Sequence, residues 1–248
     1  MNNRFLPVTA LSYSFKLFLT SFTWVIRYTN LYFRHKVFKE HQINSMSGNL
    51  YTVSAPSGAG KTSLVNAAVK NLPDLSISVS HTTRKMRPGE EDGVNYNFVD
   101  KAQFQSMIKA GDFLEHAEVF GNFYGTSLGW VQNALVEGKD VILEIDWQGA
   151  EQVRKKIPET RGIFILPPSR EILRERLTNR GQDEEAVIDA RMAEAKAEIS
   201  HYSEANFLII NDQFDQALAE LEAVIAHKGQ KSCQNMQKHQ RLIEELLS

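Results

Sequence analysis

The chain has 248 residues, 42% of them hydrophobic, with 28 basic and 30 acidic side chains and a formal net charge of −2. That length buries a sizeable core in one or two domains, and the composition excludes collagenous, disulfide-framed and wholly disordered classes. The single cysteine, Cys233, excludes an intramolecular disulfide and a cysteine-rich metal site and fits a reducing, cytoplasmic setting.

The charge is unevenly spread. Up to Ser45, the basic residues Arg4, Lys16, Arg27, Arg34, Lys36 and Lys39 face only Glu40, so the remainder is acidic. An acidic body argues against duplex-DNA binding, and no nucleic-acid partner is expected. The uncharged apolar stretch Leu17–Ile26 is shorter than the about 20 residues a bilayer span needs. No stable membrane insertion is therefore expected. The leader partly imitates a secretory signal, a transit peptide and an aromatic-anchored interfacial helix, and completes none of these patterns. Residues 1–45 are read as an N-terminal extension, disordered or not translated, with Met46 opening the compact body of residues 46–248.

The apolar run Leu50-Tyr51-Thr52-Val53 predicts a buried strand, and Ser63–Lys70 predicts a helix. Between them lies Ser54-Ala55-Pro56-Ser57-Gly58-Ala59-Gly60-Lys61-Thr62. Strand, glycine loop and helix is the context of a phosphate-binding loop. Gly58 and Gly60 let the backbone turn its N–H groups inward, and the helix adds its positive N-terminal end. Lys61 offers a charge to the outer phosphates, and the Thr62 hydroxyl is placed to ligate magnesium. Ala55 stands where such loops usually carry their first glycine.

Further on, Ser76–Ser80 alternates as a strand, followed by a polar segment with Arg84 and Arg87 three apart. Asn95–Val99 predicts a short strand, and Asp100 caps a helix that stops at Gly111. Phe113–Val119 is a strand, Gly121-Asn122 a tight turn, and Ser127–Glu137 a helix closed by Gly138. This β-rich block interrupts an alternating β/α pattern and reads as an inserted lobe, residues 80–130.

Alternation resumes at Asp140–Asp146, an apolar strand gaining acids at its C-terminal end. Asp146 there suits a magnesium-organising carboxylate better than the exposed end charge of a buried strand, the alternative reading. A helix over Gln148–Lys156, a strand over Arg161–Leu166 and a helix from the Ser169 cap to Asn179 follow. Arg174, Arg176, Arg180 and Arg191 fall on or beside two helices joined at Gly181-Gln182-Asp183. They read either as a lid over residues 178–200, bringing cations to a moving phosphoryl group, or as partners of nearby glutamates on helix surfaces. Phe207–Ile210 is the last strand, before a helix over Asp215–Ala226. The tail carries Leu242, Ile243, Leu246 and Leu247 on one side of a final helix. The core is then 46–79, 131–177 and 201–248, an α/β arrangement with about five parallel strands flanked by helices, the Asp140 strand neighbouring the phosphate-loop strand.

From about Gly48 to Ala226 the chain resembles guanylate kinase of the bacterial type. The resemblance rests on the phosphate loop, Ser80-His81-Thr82-Thr83-Arg84, Arg87-Pro88-Gly89-Glu90, Tyr96-Asn97-Phe98 and Phe113-Leu114-Glu115. It continues through Gly121-Asn122-Phe123-Tyr124-Gly125-Thr126, Ile145-Asp146-Trp147-Gln148-Gly149 and Arg180-Gly181. It implies a P-loop nucleoside monophosphate kinase fold with a GMP-binding lobe and a helical lid. It also implies magnesium-dependent transfer of the ATP γ-phosphate to GMP, recycling GMP towards GDP and GTP. By the same resemblance Ser80, Glu115 and Thr126 read the guanine base, and Arg84, Arg87, Tyr96 and Tyr124 take the GMP phosphate, with Glu144 also on the GMP side. Residues Ala55 to Thr62 hold the ATP phosphates, with Lys61, Arg84, Arg176, Arg180, Arg191 and Asp146 catalytic. Asn211 lies on the adenine side, and Thr62 and Asp146 serve the metal, the latter through water. Glu144 departs from the family's usual Asp. Guanylate-kinase-like modules that bind proteins without catalysis are the alternative, though they typically lose the phosphate loop. A homo-oligomer stays open.

Overall fold

The computed structural model describes residues 47–119, 121–179, 185–226 and 239–248. The leader, Arg180 and the Gly181-Gln182-Asp183 joint lie outside the described residues. Two sheets are present among them. The larger has five parallel strands: β1 (Leu50–Ser54), β2 (Leu75–Ile77), β7 (Asp140–Glu144), β8 (Arg161–Leu166) and β9 (Phe207–Ile210). Their order is β2-β7-β1-β8-β9, so the strand that feeds the phosphate loop sits in the middle with β7 beside it, as expected.

Each strand is apolar on both sides because both sheet faces are covered. Successive residues alternate between clusters: Ile142 faces one core with Tyr51, Val53, Leu64 and Leu221, while Val141 and Leu143 face another with Leu135 and Val153. The first core is closed by helices α1 (Lys61–Asn71) and α7 (Phe214–Ala226), the second by α3 (Leu128–Val136) and α4 (Trp147–Lys156). A third cluster joins Phe164, Leu166 and Leu208 to α5 (Arg170–Thr178), α6 (Glu185–Ile199) and α8 (Gln240–Leu247). The apolar side foreseen for the tail helix is the one it buries, with Ile243 and Leu246 inside and Leu242 and Leu247 packed at its edge.

The smaller sheet has the order β4-β3-β6-β5, from β3 (His81–Thr82), β4 (Asn97–Phe98), β5 (Phe113–Val119) and β6 (Asn122–Ser127). Its helix α2 (Lys101–Ala110) is capped by the Asp100 carboxylate and ends at Gly111, both as read from sequence. Phe104 of α2 is fully buried and stacks on Phe113 at 4.5 Å and on Phe123 at 5.5 Å.

Element ends differ from expectation where the chain changes sheet or starts a helix. The strand expected over Ser76–Ser80 stops at Ile77. Ser78 still donates its N–H to Ile142, after which the chain crosses to the smaller sheet and the Ser80 carbonyl accepts from Asn97. The strand expected to reach Asp146 ends at Glu144, because Asp146 is already the N-cap of α4, its Oδ1 accepting from Gly149 N at 2.7 Å. Helix α1 starts two residues early, at Lys61, with Gly60 as its N-cap.

Replacing Phe104 with Ala empties the centre of the smaller sheet's packing. A loss of about 3–5 kcal/mol is expected, measured by urea denaturation. A loss below 1 kcal/mol would mean that α2 is not pinned by this side chain.

Candidate active site

The loop after β1 takes its shape from two glycines and one buried amide. Gly58 and Gly60 both have φ near +90°. At Gly60 no other residue fits, since a Cβ would stand 2.3 Å from Asn211 Nδ2. That nitrogen donates to the Ala59 carbonyl at 2.7 Å, while Asn211 itself is buried at the end of β9. The amide expected on the adenine side is thus turned onto the loop and braces it. Arg176 completes the brace from α5, donating through Nη2 to the Asn211 carbonyl at 3.1 Å; its Nη1 is buried with no hydrogen-bond partner.

Loop residues Ala55, Pro56, Ser57, Gly58 and Gly60 form one wall of a cleft of about 400 Å³, with Lys61 and Thr62 at its base. Lys61 Nζ donates to the Ile145 carbonyl at 3.3 Å. The Thr62 hydroxyl donates to Glu144 Oε1 at the end of β7. Of the two acids foreseen there, Glu144 meets the magnesium-type hydroxyl, and Asp146 has one oxygen engaged as a helix cap. Both line the cleft.

The opposite wall comes from the smaller sheet: Ser80, Arg87, Tyr96, Glu115 and Tyr124. Glu115 on β5 is 4% exposed and faces Thr126 on β6 in register; the Thr126 hydroxyl donates to Oε1 at 2.5 Å. Burial pushes the Glu115 carboxyl up to about 7, with the Asp146 charge adding to the rise and the Thr126 hydrogen bond and Lys156 opposing it. Helix α4 packs closely against this carboxylate. A Cβ on Gly149 would lie 2.7 Å from Glu115 Oε2, so only glycine allows the approach. One turn on, the Gln152 amide bonds both backbone groups of His116, at 3.2 and 2.9 Å. Lys156 Nζ donates to the Leu114 carbonyl at 2.6 Å. Three side positions of one helix thus register strand β5 and its Glu115 against the core.

The aromatic pair Tyr96 and Tyr124 meets edge-to-face at 6.0 Å, with the Arg84 guanidinium 5.3 Å from the Tyr96 ring centre. Arg84 forms a two-pronged pair with Glu90, at 2.7 and 3.0 Å, and Glu90 also accepts from the Arg87 N–H at 2.7 Å. Arg84 first, and then that N–H, hold the Glu90 carboxyl below its usual range. Of the expected phosphate arginines, Arg87 is exposed on the cleft wall and Arg84 lies behind it on Glu90. Ala59, Thr126, Asn211, Arg176 and Arg191 likewise stand off the wall.

Three residues here have no role in the sequence reading. Glu90 could have been suspected from its spacing after Arg84 and Arg87. Gly149 lay within a family motif, but its contact is with a strand more than thirty positions away. Glu198, on α6, lines the cleft and accepts from the Ser57 N–H at 3.2 Å. It sits among Glu194 and Lys196 in what reads as a solvated face.

A family model described as guanylate kinase matches residues 47–228. The guanylate kinase of Saccharophagus degradans is 62% identical over 202 residues, covering 82% of this chain and 98% of that protein. That of Alkalilimnicola ehrlichii is 66% identical over 179 residues, covering 72% of this chain and 88% of that protein. The crystal structure of guanylate kinase from Anaplasma phagocytophilum superposes with a TM-score of 0.63 at 30% identity, over 78% of this chain and 93% of that one.

The raised Glu115 carboxyl has a consequence for stability. Between about 4.5 and about 7 the folded protein holds a proton there that the unfolded chain has released, so stability is full below that window and falls as pH rises through it. The expected loss is about 3 kcal/mol, from the two ends of that window at about 1.4 kcal/mol per unit. Denaturation series at pH 4.5, 6 and 8 on the wild type and Glu115→Gln should differ in slope, the variant being flatter. Parallel slopes would show that Glu115 titrates normally.

Proposed function

The chain belongs to the guanylate kinase family, and on that premise we propose how its cleft divides the work of an ATP:GMP phosphotransferase. The reaction moves the γ-phosphoryl group of ATP to GMP and yields ADP and GDP. A phosphate oxygen of GMP bonds to the γ-phosphorus as the bond from that phosphorus to the β,γ-bridging oxygen breaks, and ADP leaves with the electron pair. In a loose transition state positioning and charge neutralisation carry the rate, so no strong general base is required.

Glu115 is the base reader. Guanine presents N–H donors at N1 and its 2-amino group, and a carboxylate accepts both. The observation carrying this role is the pairing of Thr126 with Glu115 Oε1, which pins the carboxylate on the cleft wall facing the phosphate loop. Ser80 supplies a hydroxyl for O6. Adenine lacks the 2-amino donor and would leave the buried carboxylate unsatisfied, at a cost of about 1–3 kcal/mol. Arg87 meets the GMP phosphate from the cleft wall with Tyr96 and Tyr124. Arg84 reaches it by sharing its guanidinium between Glu90 and the phosphate.

The loop N–H groups and Lys61 take the ATP phosphates. Thr62 and Glu144 fit a magnesium ion that travels with those phosphates: both are hard oxygen donors, already in contact. No group of three or more metal-ligating His, Cys, Asp or Glu exists among the described residues. Two protein oxygens with the balance from phosphate and water suit magnesium, which keeps most of its waters. When bound it neutralises charge on the β- and γ-oxygens. Asp146 contributes through its second oxygen, and Arg176, Arg180 and Arg191 supply further positive charge. The lid and lobe boundaries drawn from sequence form part of this reading, as does a cytoplasmic role in purine nucleotide supply. No helix among the described residues is long and apolar enough to cross a membrane.

ADP release with GMP, AMP, CMP and UMP as acceptors should show GMP strongly preferred. In Glu115→Gln the amide oxygen can keep Thr126, which turns an –NH₂ towards the guanine donors. GMP kcat/KM should then fall by about 2–4 kcal/mol, roughly thirty- to a thousand-fold, with the ATP KM little changed. Lys61→Ala should lower kcat severely while GMP binding stays measurable. Near-normal GMP turnover by Glu115→Gln would remove Glu115 from the base pocket.

A further inference from the structure

A phosphate loop offers a small number of inward N–H groups to one anion at a time. Here one of them already has an anion: Ser57 N donates to Glu198 Oε2 at 3.2 Å. The carboxylate comes from the last turn of α6, 141 positions along the chain. It is no solvated surface charge, because Glu198 is half-buried and lines the same cleft as Ser57, Lys61 and Asp146.

We infer that Glu198 is an internal anion that occupies the phosphate loop and must be displaced by the triphosphate, coupling ATP entry to the position of helix α6. This rests on the loop being the ATP site, as assigned above.

Three further observations support it. The surroundings of Glu198 are poised rather than comfortable. Burial raises its carboxyl, the Lys61 charge and the Ser57 N–H oppose that rise, and Asp146 and Glu194 add to it. A group whose charged form is favoured by the loop and disfavoured by two neighbouring carboxylates gives way readily when a stronger anion arrives. A triphosphate is that stronger anion, since it brings several oxygens and more negative charge to the same N–H groups and Lys61. Lastly, Glu198 and Arg191 are seven residues apart on one helix, two turns, and so share a face. Releasing Glu198 from Ser57 therefore frees the element that carries Arg191, one of the cations assigned to the transferred group. ATP binding and the placing of that cation become one event, and an adenine nucleoside without phosphates cannot trigger it.

Calorimetric titration of magnesium ATP into the wild type, Glu198→Gln and Glu198→Ala, with no GMP present, tests this. Gln keeps an oxygen for the Ser57 N–H and removes the charge, so both variants should bind ATP roughly tenfold more tightly or better. Adenosine, which carries no phosphate, should bind all three proteins alike. In steady state the ATP KM should fall in both variants while the GMP KM holds. Unchanged or weaker ATP binding in Glu198→Gln would overturn the inference and make Glu198 a support of the loop. Equal shifts for ATP and adenosine would also overturn it, by showing a general change in the cleft. Because the titration contains no GMP, a wild-type protein that failed to phosphorylate GMP would refute the acceptor assignment and leave this result readable.

Discussion

The rest of the molecule depends on one constraint: the left-handed glycine loop after β1 must keep its shape where it lines the open cleft. Within the loop one bond, from the Ala59 N–H to the Pro56 carbonyl at 3.1 Å, and the left-handed Gly60 fix the turn, and they need a restraint from outside. The restraint comes from across the sheet. Asn211, at the end of β9, holds the Ala59 carbonyl, and Arg176 holds Asn211. Placing β1 in the centre of a parallel sheet brings the C-terminal ends of β7, β8 and β9 to the same edge. Glu144, Asp146 and Asn211 gather there as a result. Sheet order is thus a requirement of the loop as much as of the core.

The second demand is a buried carboxylate. Glu115 costs the fold stability, which is why burial drives its carboxyl towards neutrality. In the function we propose it serves specificity for guanine, which needs an acceptor that water cannot replace. Helix α4 spans both demands: its first turn is capped by Asp146, which accepts from the Gly149 N–H beside the glycine loop, and its next turns pack on Glu115 and bond His116 and Leu114. The Glu115 wall and the glycine loop are spaced by a helix of ten residues.

Most of the architecture was legible in the sequence because it is written in local terms. Strand periodicity, the Asp100 and Ser169 caps and the αL glycine after α2 each depend on neighbours a few positions away. The glycine loop and the Glu115 pocket were legible through a family pattern. What could not be read is what depends on distant partners. Asp146 and Glu144 are equivalent acids at a strand end until the fold gives one to a helix N-terminus and the other to Thr62. Asn211 looks like any polar residue after a strand until its amide is found on the loop. Glu198 lies in a run of alternating charges on a helix and shows no periodic signal at all. The strand expected to run to Ser80 stops at Ile77 because the chain must cross to a second sheet.

A common device emerges at the two places where we propose that phosphates are held. Arg84 is paired with Glu90, and the Ser57 N–H with Glu198. A cluster of unpaired cations and inward N–H groups would be costly to fold, since like charges repel and half-buried donors want acceptors. Internal carboxylates remove that cost without filling the cleft. The two pairs are not equivalent, however. Glu90 sits on the same short segment as Arg84 and is held low by two donors, so it can remain while the guanidinium's outer face turns to a phosphate. Glu198 comes from a separate helix and is raised by its surroundings, so it yields instead. The first arrangement orients a cation, while the second makes occupancy of the loop by substrate and movement of a helix the same equilibrium. A protein that must hold two anionic substrates side by side, and exclude water only when both have arrived, has use for one fixed counter-ion and one that leaves.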